Sequence, residues 1–281
     1  MTINLDGKVA VVTGGSGVLC SRMAVALAAC GAKVAALGRR KEALDAVVAE
    51  IAGEGGCAAA FACDVLDKEA LVRTNAAIEA LWGSVDILIN GAGGNRPSGT
   101  AGKEFCVPED MAAEAERAKT FYGLDPQGIE GVFSLNFLGT LLPSQVFTQA
   151  MAARGKGVVV NIASMAGDRP LTKICGYSGA KAAIMNFTQW LAVHLAPSGV
   201  RVNAIAPGFF VTEQNRTLLK NPDGSLTPRS QKILANTPMG RFGEAQELLG
   251  TLLWLVSDTD SGFVTGVVIP VDGGFSAYSG V

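Results

Sequence analysis

The chain has 281 residues, 49% of them hydrophobic and 17% charged, with a formal net charge of -2 at pH 7, 3 tyrosines and a single histidine. One imidazole excludes a zinc centre built on two or three histidines, and it leaves acid–base chemistry to tyrosine, lysine or a carboxylate. The slightly acidic balance gives no basic field for a phosphate backbone, so nucleic acid is excluded as the main partner and a small-molecule substrate is expected.

The six cysteines (Cys20, Cys30, Cys57, Cys63, Cys106 and Cys175) include no C-x-x-C pair and read as reduced thiols. Residues 1–6 lack the basic start and apolar core of a signal peptide, and no apolar run reaches the ~18 residues of a membrane span. A cytoplasmic protein with no membrane partner is expected.

In chain order, short β-branched runs alternate with longer Ala/Leu-rich stretches of helical period. Lys8–Thr13 is the first predicted strand, followed by the turn Thr13-Gly14-Gly15-Ser16-Gly17 and a helix over Leu19–Cys30 that Gly31 stops. Lys33–Leu37 is the second strand and ends on Gly38-Arg39-Arg40. Ala58–Ala62 is the third and runs into Asp64-Val65, and Asp86–Asn90 is the fourth and runs into Gly91-Ala92-Gly93. The stretch 94–130 breaks the alternation with Asn95-Arg96-Pro97-Ser98-Gly99, a charged helical segment over Pro108–Lys119 and a turn at Leu124–Gly128. It is too long for a plain connection and reads as an insertion.

Gly157–Ile162 is the fifth strand, followed by Ser164 and a helix bearing Tyr177 and Lys181. Val200–Ala206 is the sixth and ends on Pro207-Gly208. Residues 211–243, with the turn Asn221-Pro222-Asp223-Gly224 and the cations Arg216, Lys220, Arg229 and Lys232, read as a lid beyond a strand end. The apolar run Leu248–Val256, with Trp254, is core or subunit interface. Gly266–Val271 is the seventh strand. With no repeat and no linker, the pattern predicts one α/β domain over 1–281, a doubly wound seven-stranded parallel sheet carrying two excursions.

A glycine-rich strand-to-helix turn is ambiguous alone, because glycine serves a tight turn as readily as a phosphate cradle. Tyr177 and Lys181 are four apart on one helix and share a face. A cation within about 4–6 Å of a phenol favours the phenolate and lowers a pKa that is otherwise ~10, so this pair is expected to exchange a proton near neutrality. His194 and Cys175 read as packing, helix-end or structural residues.

The glycine turn, Asp64-Val65, Asn90-Gly91-Ala92-Gly93, Ser164, Tyr177-x-x-x-Lys181, Pro207-Gly208 and the tail Val271-Asp272-Gly273-Gly274 come in an order that resembles the short-chain dehydrogenase/reductase family over nearly the whole chain. The resemblance implies a Rossmann fold, a nicotinamide dinucleotide and reversible hydride transfer between it and a secondary alcohol or ketone. It implies that Ser164 holds the substrate oxygen, that Tyr177 moves its proton, and that Lys181 tunes Tyr177 and holds the nicotinamide ribose. Asn136, in Leu135-Asn136-Phe137, matches the family's fourth catalytic member, where a kinked helix and an ordered water extend a proton relay.

For the dinucleotide, the resemblance implies contacts from Gly14, Ser16, Gly17 and Leu19 in the first turn, and from Arg39, Arg40, Asp64 and Val65 beyond the next two strands. Asn90, Ala92 and Gly93 follow, with Tyr177, Lys181, Pro207, Gly208 and Thr212. No metal is implied. The family's T-G-x-x-x-G-x-G turn is broken here, because Val18 and Cys20 stand at the second and third glycine positions. A β-branched residue disfavours positive φ, whereas Cys is small enough for close helix–strand packing. At the end of strand two, Arg39 or Arg40 either meets a 2′-phosphate, which favours NADP over NAD, or merely opens a solvated helix.

The long insertion resembles the family's sugar-acid oxidoreductases, D-mannonate oxidoreductase (fructuronate reductase) among them. On that reading Asn95 and Arg96 meet the substrate together with Ser164 and Tyr177, Arg96 pairs with its carboxylate, and Arg169 and Lys173 are reserves. The alternatives are a neutral polyol, a ketone or a 3-oxoacyl substrate, with Arg96 capping a loop, or a dinucleotide sensor without catalysis. The resemblance also implies a homo-oligomer, a tetramer or a dimer.

Overall fold

A computed structural model describes residues 3–211, 219 and 221–280. Seven parallel strands form one sheet in the order β3-β2-β1-β4-β5-β6-β7. They are β1 (Val9–Thr13), β2 (Lys33–Gly38), β3 (Cys57–Ala62), β4 (Ile87–Asn90), β5 (Gly157–Ile162), β6 (Val200–Pro207) and β7 (Val268–Val271). β1, β4 and β5 are buried along their whole length, which is why they read as unbroken apolar runs rather than as alternating ones.

Three long helices cross between the strands of the first half: α1 (Val18–Ala29), α2 (Lys41–Gly53) and α3 (Lys68–Trp82). Two apolar layers fill the space on the two faces of the sheet. Met23, Leu27, Val12, Ile89, Val160 and Leu252 belong to one; Leu71, Ile78, Leu88, Phe147 and Met151 belong to the other. Among the described residues no helix is long and apolar enough to cross a membrane.

The chain reverses its strand order between β1 and β4, and doubly wound sheets bind ligands in the crevice outside the strand C-termini at such a point. The two irregular segments frame that edge. The insertion is not the continuous helix expected over Pro108–Lys119. A 3₁₀ turn (Pro108–Met111) and one α-turn, α4 (Glu114–Arg117), are separated by Ala113 in an extended conformation, since the segment has no apolar stripe to bury. Beyond it come α5 (Pro126–Phe133), a π-helical turn (Ser134–Leu138) and α6 (Gly139–Arg154).

The second excursion is closed at its base by a parallel bridge between Phe210 and Gly243. It contains the turn predicted at Asn221–Gly224, with Gly224 left-handed at φ +84°, and α8 (Pro228–Ala235). The run Leu248–Val256 is core. Its helix α9 (Leu249–Val256) buries Leu252, Leu255 and Val256, while Trp254 remains partly exposed at the surface.

Candidate active site

The β1–α1 turn is held from three sides. Gly14 is left-handed at φ +67°, and a Cβ there would lie 2.9 Å from Ala92 N and Gly91 O, so only glycine lets the turn press on the end of β4. Gly15 N donates to Leu37 O (2.9 Å), and Thr13 Oγ1 accepts from Gly91 N (3.0 Å) and Ala92 N (3.2 Å). Val18 is the first residue of α1 after an extended Gly17, and with its right-handed helical backbone it needs no positive φ.

Cys20 explains the other lost glycine. Its buried thiol donates to Gly91 O (3.7 Å), and a Cβ on Gly91 would overlap it. The close approach of helix and sheet is kept by moving the missing side chain from the helix to the strand end. Burial pushes this thiol up to about 11 against the pull of Lys181, so it stays protonated and a poor nucleophile. The first amides of α1 at Val18, Leu19 and Cys20 have no acceptor within the helix, a ready donor set for an anion.

Ser16 Oγ reaches the end of β2, 3.8 Å from where a Cβ on Gly38 would stand. Arg39 and Arg40 follow there, both exposed, and neither has an ion-pair partner among the described residues. Asp64 caps its own turn by accepting from Leu66 N (3.0 Å), while Val65 is buried. Asn90 turns its side chain into the core, donating to Ser144 Oγ and Asn161 Oδ1 (2.9 Å each), so it offers a ligand its backbone rather than its amide. Pro207 ends β6, and Gly208 N donates to Val271 O (2.9 Å), joining that end to β7. Thr212, with Arg216 and Lys220 of the expected lid, lies outside the described residues.

The four expected catalytic side chains come from three places. Asn136 is fully buried in the π turn; its Nδ2 donates to Gly94 O and Val132 O (2.8 Å each), and its Oδ1 accepts from Gly94 N (3.1 Å). A Cβ on Gly93 would stand 2.6 Å from Asn136 Oδ1 and 3.4 Å from Lys181 Nζ, so a bare glycine separates the amide from the ammonium. Ser164, just past β5, accepts from Ala166 N (3.2 Å), and its hydroxyl is near enough to the Tyr177 phenol to pull that group's pKa down against the effect of burial. Tyr177 and Lys181 lie on α7 (Cys175–Leu195), with Lys181 Nζ 5.6 Å from the centre of the Tyr177 ring and donating to Ile162 O (2.7 Å).

The electrostatics differ from the expected pairing of cation and phenol. Burial raises Tyr177 above its ordinary pKa, opposed by the Ser164 hydroxyl, and burial lowers Lys181 to about 8. The ammonium lies over the ring rather than at the oxygen, so desolvation outweighs the attraction in the free chain.

On the substrate side Asn95 Nδ2 donates to Thr100 Oγ1 (2.8 Å), and the exposed Arg96 lies along Gly131. Arg169 pairs with Asp168 and donates to Ser276 O. Cys175 is exposed, and His194 stacks on Trp190 (4.9 Å). Thr13 and the Cys20–Gly91 contact were not anticipated; a threonine heading the glycine turn was the one visible sign.

This fold and these side chains define an oxidoreductase that acts on CH–OH groups. The model of the short chain dehydrogenase family matches residues 8–223, and the chain belongs to that family. It is 53% identical over 278 residues to the uncharacterized oxidoreductase UxuB of Bacillus subtilis, covering 99% of this chain and 98% of that protein. A crystal structure from Haemophilus influenza with bound NAD, provisionally named a D-mannonate oxidoreductase, is 53% identical with a TM-score of 0.93 over 99% of this chain and 98% of that one. A gluconate 5-dehydrogenase from Burkholderia cenocepacia, solved with NADP and tartrate, is 28% identical with a TM-score of 0.83 over 99% and 98%.

Proposed function

We propose that this protein interconverts a secondary alcohol and a ketone of a sugar acid of the D-mannonate/fructuronate kind, in the cytoplasm and as a homo-oligomer, with a nicotinamide dinucleotide. The observation that carries the chemistry is the meeting of the Ser164 hydroxyl, the Tyr177 phenol and the buried Lys181 ammonium beside the bare Gly93. The names given to the two solved relatives support the substrate class.

The residues fit a dinucleotide. The glycine cradle at Gly14, the free amides at the start of α1 and the side-chain-free Gly93 leave backbone accessible where a pyrophosphate and a ribose would lie. Gly14, Ser16, Gly17 and Leu19 would hold the phosphates, Asp64 and Val65 the adenine end, and Asn90, Ala92 and Gly93 the central ribose region by backbone. Pro207 and Gly208 would bound the nicotinamide end. When bound, the cofactor supplies or accepts the hydride.

In the reducing direction Tyr177 gives its proton to the substrate oxygen, which the Ser164 hydroxyl holds; in the oxidising direction it takes that proton back. Lys181, charged below about pH 8, would hold ribose hydroxyls when the dinucleotide is bound and keeps a positive charge beside the Tyr177 ring. Asn136 fixes the Gly93–Gly94 backbone that closes this corner. Asn95 and Arg96 approach the substrate from the insertion. Arg39 and Arg40 favour a 2′-phosphate, hence NADP, while the 53% identical relative was solved with NAD.

Absorbance at the reduced-nicotinamide band with sugar acids, polyols, ketones and 3-oxoacyl esters, under both cofactors, tests the proposal. Turnover of sugar acids is the expected result. Turnover of neutral substrates alone, or dinucleotide binding without turnover, overturns it, and a kcat/KM higher with NAD than with NADP overturns the cofactor preference.

A further inference from the structure

Lys173 is the one non-glycine residue with positive φ among the described residues (φ 72°), and it lies on the stretch that joins Ser164 to Tyr177. Strained backbone of this kind persists where surrounding contacts over-determine it, and it gathers at functional sites. Here the insertion supplies the contact: Ala101 N donates to Lys173 O (2.8 Å). Three residues further along the insertion, Glu104 forms an ion pair with Lys232 of α8, whose ammonium also sits 5.9 Å from the centre of the Phe105 ring. Insertion, lid helix and the segment that leads into Tyr177, four residues after Lys173, are thereby tied together.

Among the described residues the charge at this junction is unbalanced. Glu104 is acidified first by its bond to Lys232, against the opposing effect of burial, and then by the fields of Lys232, Lys173 and Arg229, so three cations act on one carboxylate. Lys232 has Glu104. Lys173 and Arg229 are half-buried, and neither has an ion-pair partner among the described residues. Partly desolvated cations without a counter-ion attract an anion more strongly than solvated ones do. Arg96, by contrast, is exposed to water.

We propose that Lys173 and Arg229 form the subsite for the substrate carboxylate, placed by the Ala101–Lys173 and Glu104–Lys232 links, and that Arg96 contacts substrate hydroxyls instead. The proposal rests on the sugar-acid reading above. A carboxylate bound there neutralises the junction and holds insertion and lid helix together, so the roof closes on acids and not on their neutral counterparts.

The test compares D-mannonate with D-mannitol, which differ only in carrying a carboxylate or CH₂OH at one end, using enzyme loaded with its dinucleotide. Lys173→Asn removes the charge with a residue that tolerates left-handed backbone, Arg229→Gln removes the second charge, and Lys173→Arg retains it. Expected are a roughly tenfold or greater rise in KM for the acid in each neutral variant, little change for the polyol, and wild-type behaviour in Lys173→Arg. The thermal shift that D-mannonate gives in the loaded wild type should vanish in Lys173→Asn. Equal losses on acid and polyol, or variants that handle the acid as the wild type does, overturn the subsite while the sugar-acid reading stands. A wild type that turns over no sugar acid overturns both.

Discussion

Each reactive side chain at this site is governed by how much water it has lost. Tyr177 and Lys181 are shifted in opposite directions by burial, and both shifts favour the neutral form. Tyr177→Phe is expected to abolish turnover with dinucleotide affinity nearly unchanged, measured by single-turnover absorbance and fluorescence titration; substantial residual activity would remove the phenol from its role. Stability carries the same signature. With Lys181 near 8 when folded and near 10.5 when unfolded, the folded chain binds fewer protons across that window, so its stability relative to Lys181→Met rises with pH from 8 to 10.5. Tyr177 acts in reverse: the folded chain keeps its proton above about pH 10 and loses stability there relative to Tyr177→Phe. Urea unfolding at stepped pH measures both, and a flat difference for Lys181→Met would show that the ammonium is solvated. Cys20 and Gly91 make a second pair. Gly91→Ala should destabilise by about 1–3 kcal/mol through overlap with the thiol, and adding Cys20→Gly should recover only part, because the new Cβ would still crowd Thr13 O.

Among the elements, the π turn ahead of α6 shows best why this site needed three dimensions. Pro143, inside α6, offers no N–H to the carbonyl of Gly139. Thr140 Oγ1 donates to Asn136 O (2.9 Å), Ser144 Oγ to Thr140 O (2.8 Å) and Thr148 Oγ1 to Ser144 O (2.7 Å), a ladder of back-bonds that bends a helix. Asn136 Nδ2 takes the carbonyl of Val132. The turn is wide because side chains satisfy carbonyls that a regular helix would pair. Thr140→Val leaves the buried Asn136 carbonyl without that hydroxyl and should cost about 1–3 kcal/mol with a fall in kcat, while Thr140→Ser should keep both; equal behaviour of the two variants would dismiss the bond. The sequence showed an asparagine in mid-helix and hence a kink, but not its π form, which depends on hydroxyls one turn apart. Strand ends were legible to within a residue or two, and most sharply where an apolar run meets glycine or proline, as at Gly14, Gly38, Gly91 and Pro207. The insertion was legible only as an irregularity: Glu104 and Lys232 are far apart in the chain, and no local pattern announces such a contact.

At the scale of the whole molecule, α7 also presents an uncovered apolar stripe. α7 buries Lys181, Ile184 and Thr188 toward the sheet, while Trp190 and Val193 are 57% and 78% exposed. Phe137, Phe187, Trp190 and His194 form a continuous run of ring contacts, edge-to-face from Phe137 to Phe187 and stacked from there on, that starts in the π turn beside Asn136 and runs to the end of α7. Large apolar residues contiguous along one helix mark an association surface more often than solitary ones do. If copies of this chain meet on that stripe, subunit contact brackets α7 from the side opposite the reaction and stiffens the backbone carrying Tyr177. The double variant Trp190→Glu, Val193→Glu should then run as a smaller species by size exclusion with light scattering. Its kcat should fall more than its dinucleotide affinity, because Tyr177 and Lys181 are carried by α7 itself while the glycine turn is not. An unchanged mass would place the contact elsewhere, and a monomer with full kcat would separate assembly from catalysis.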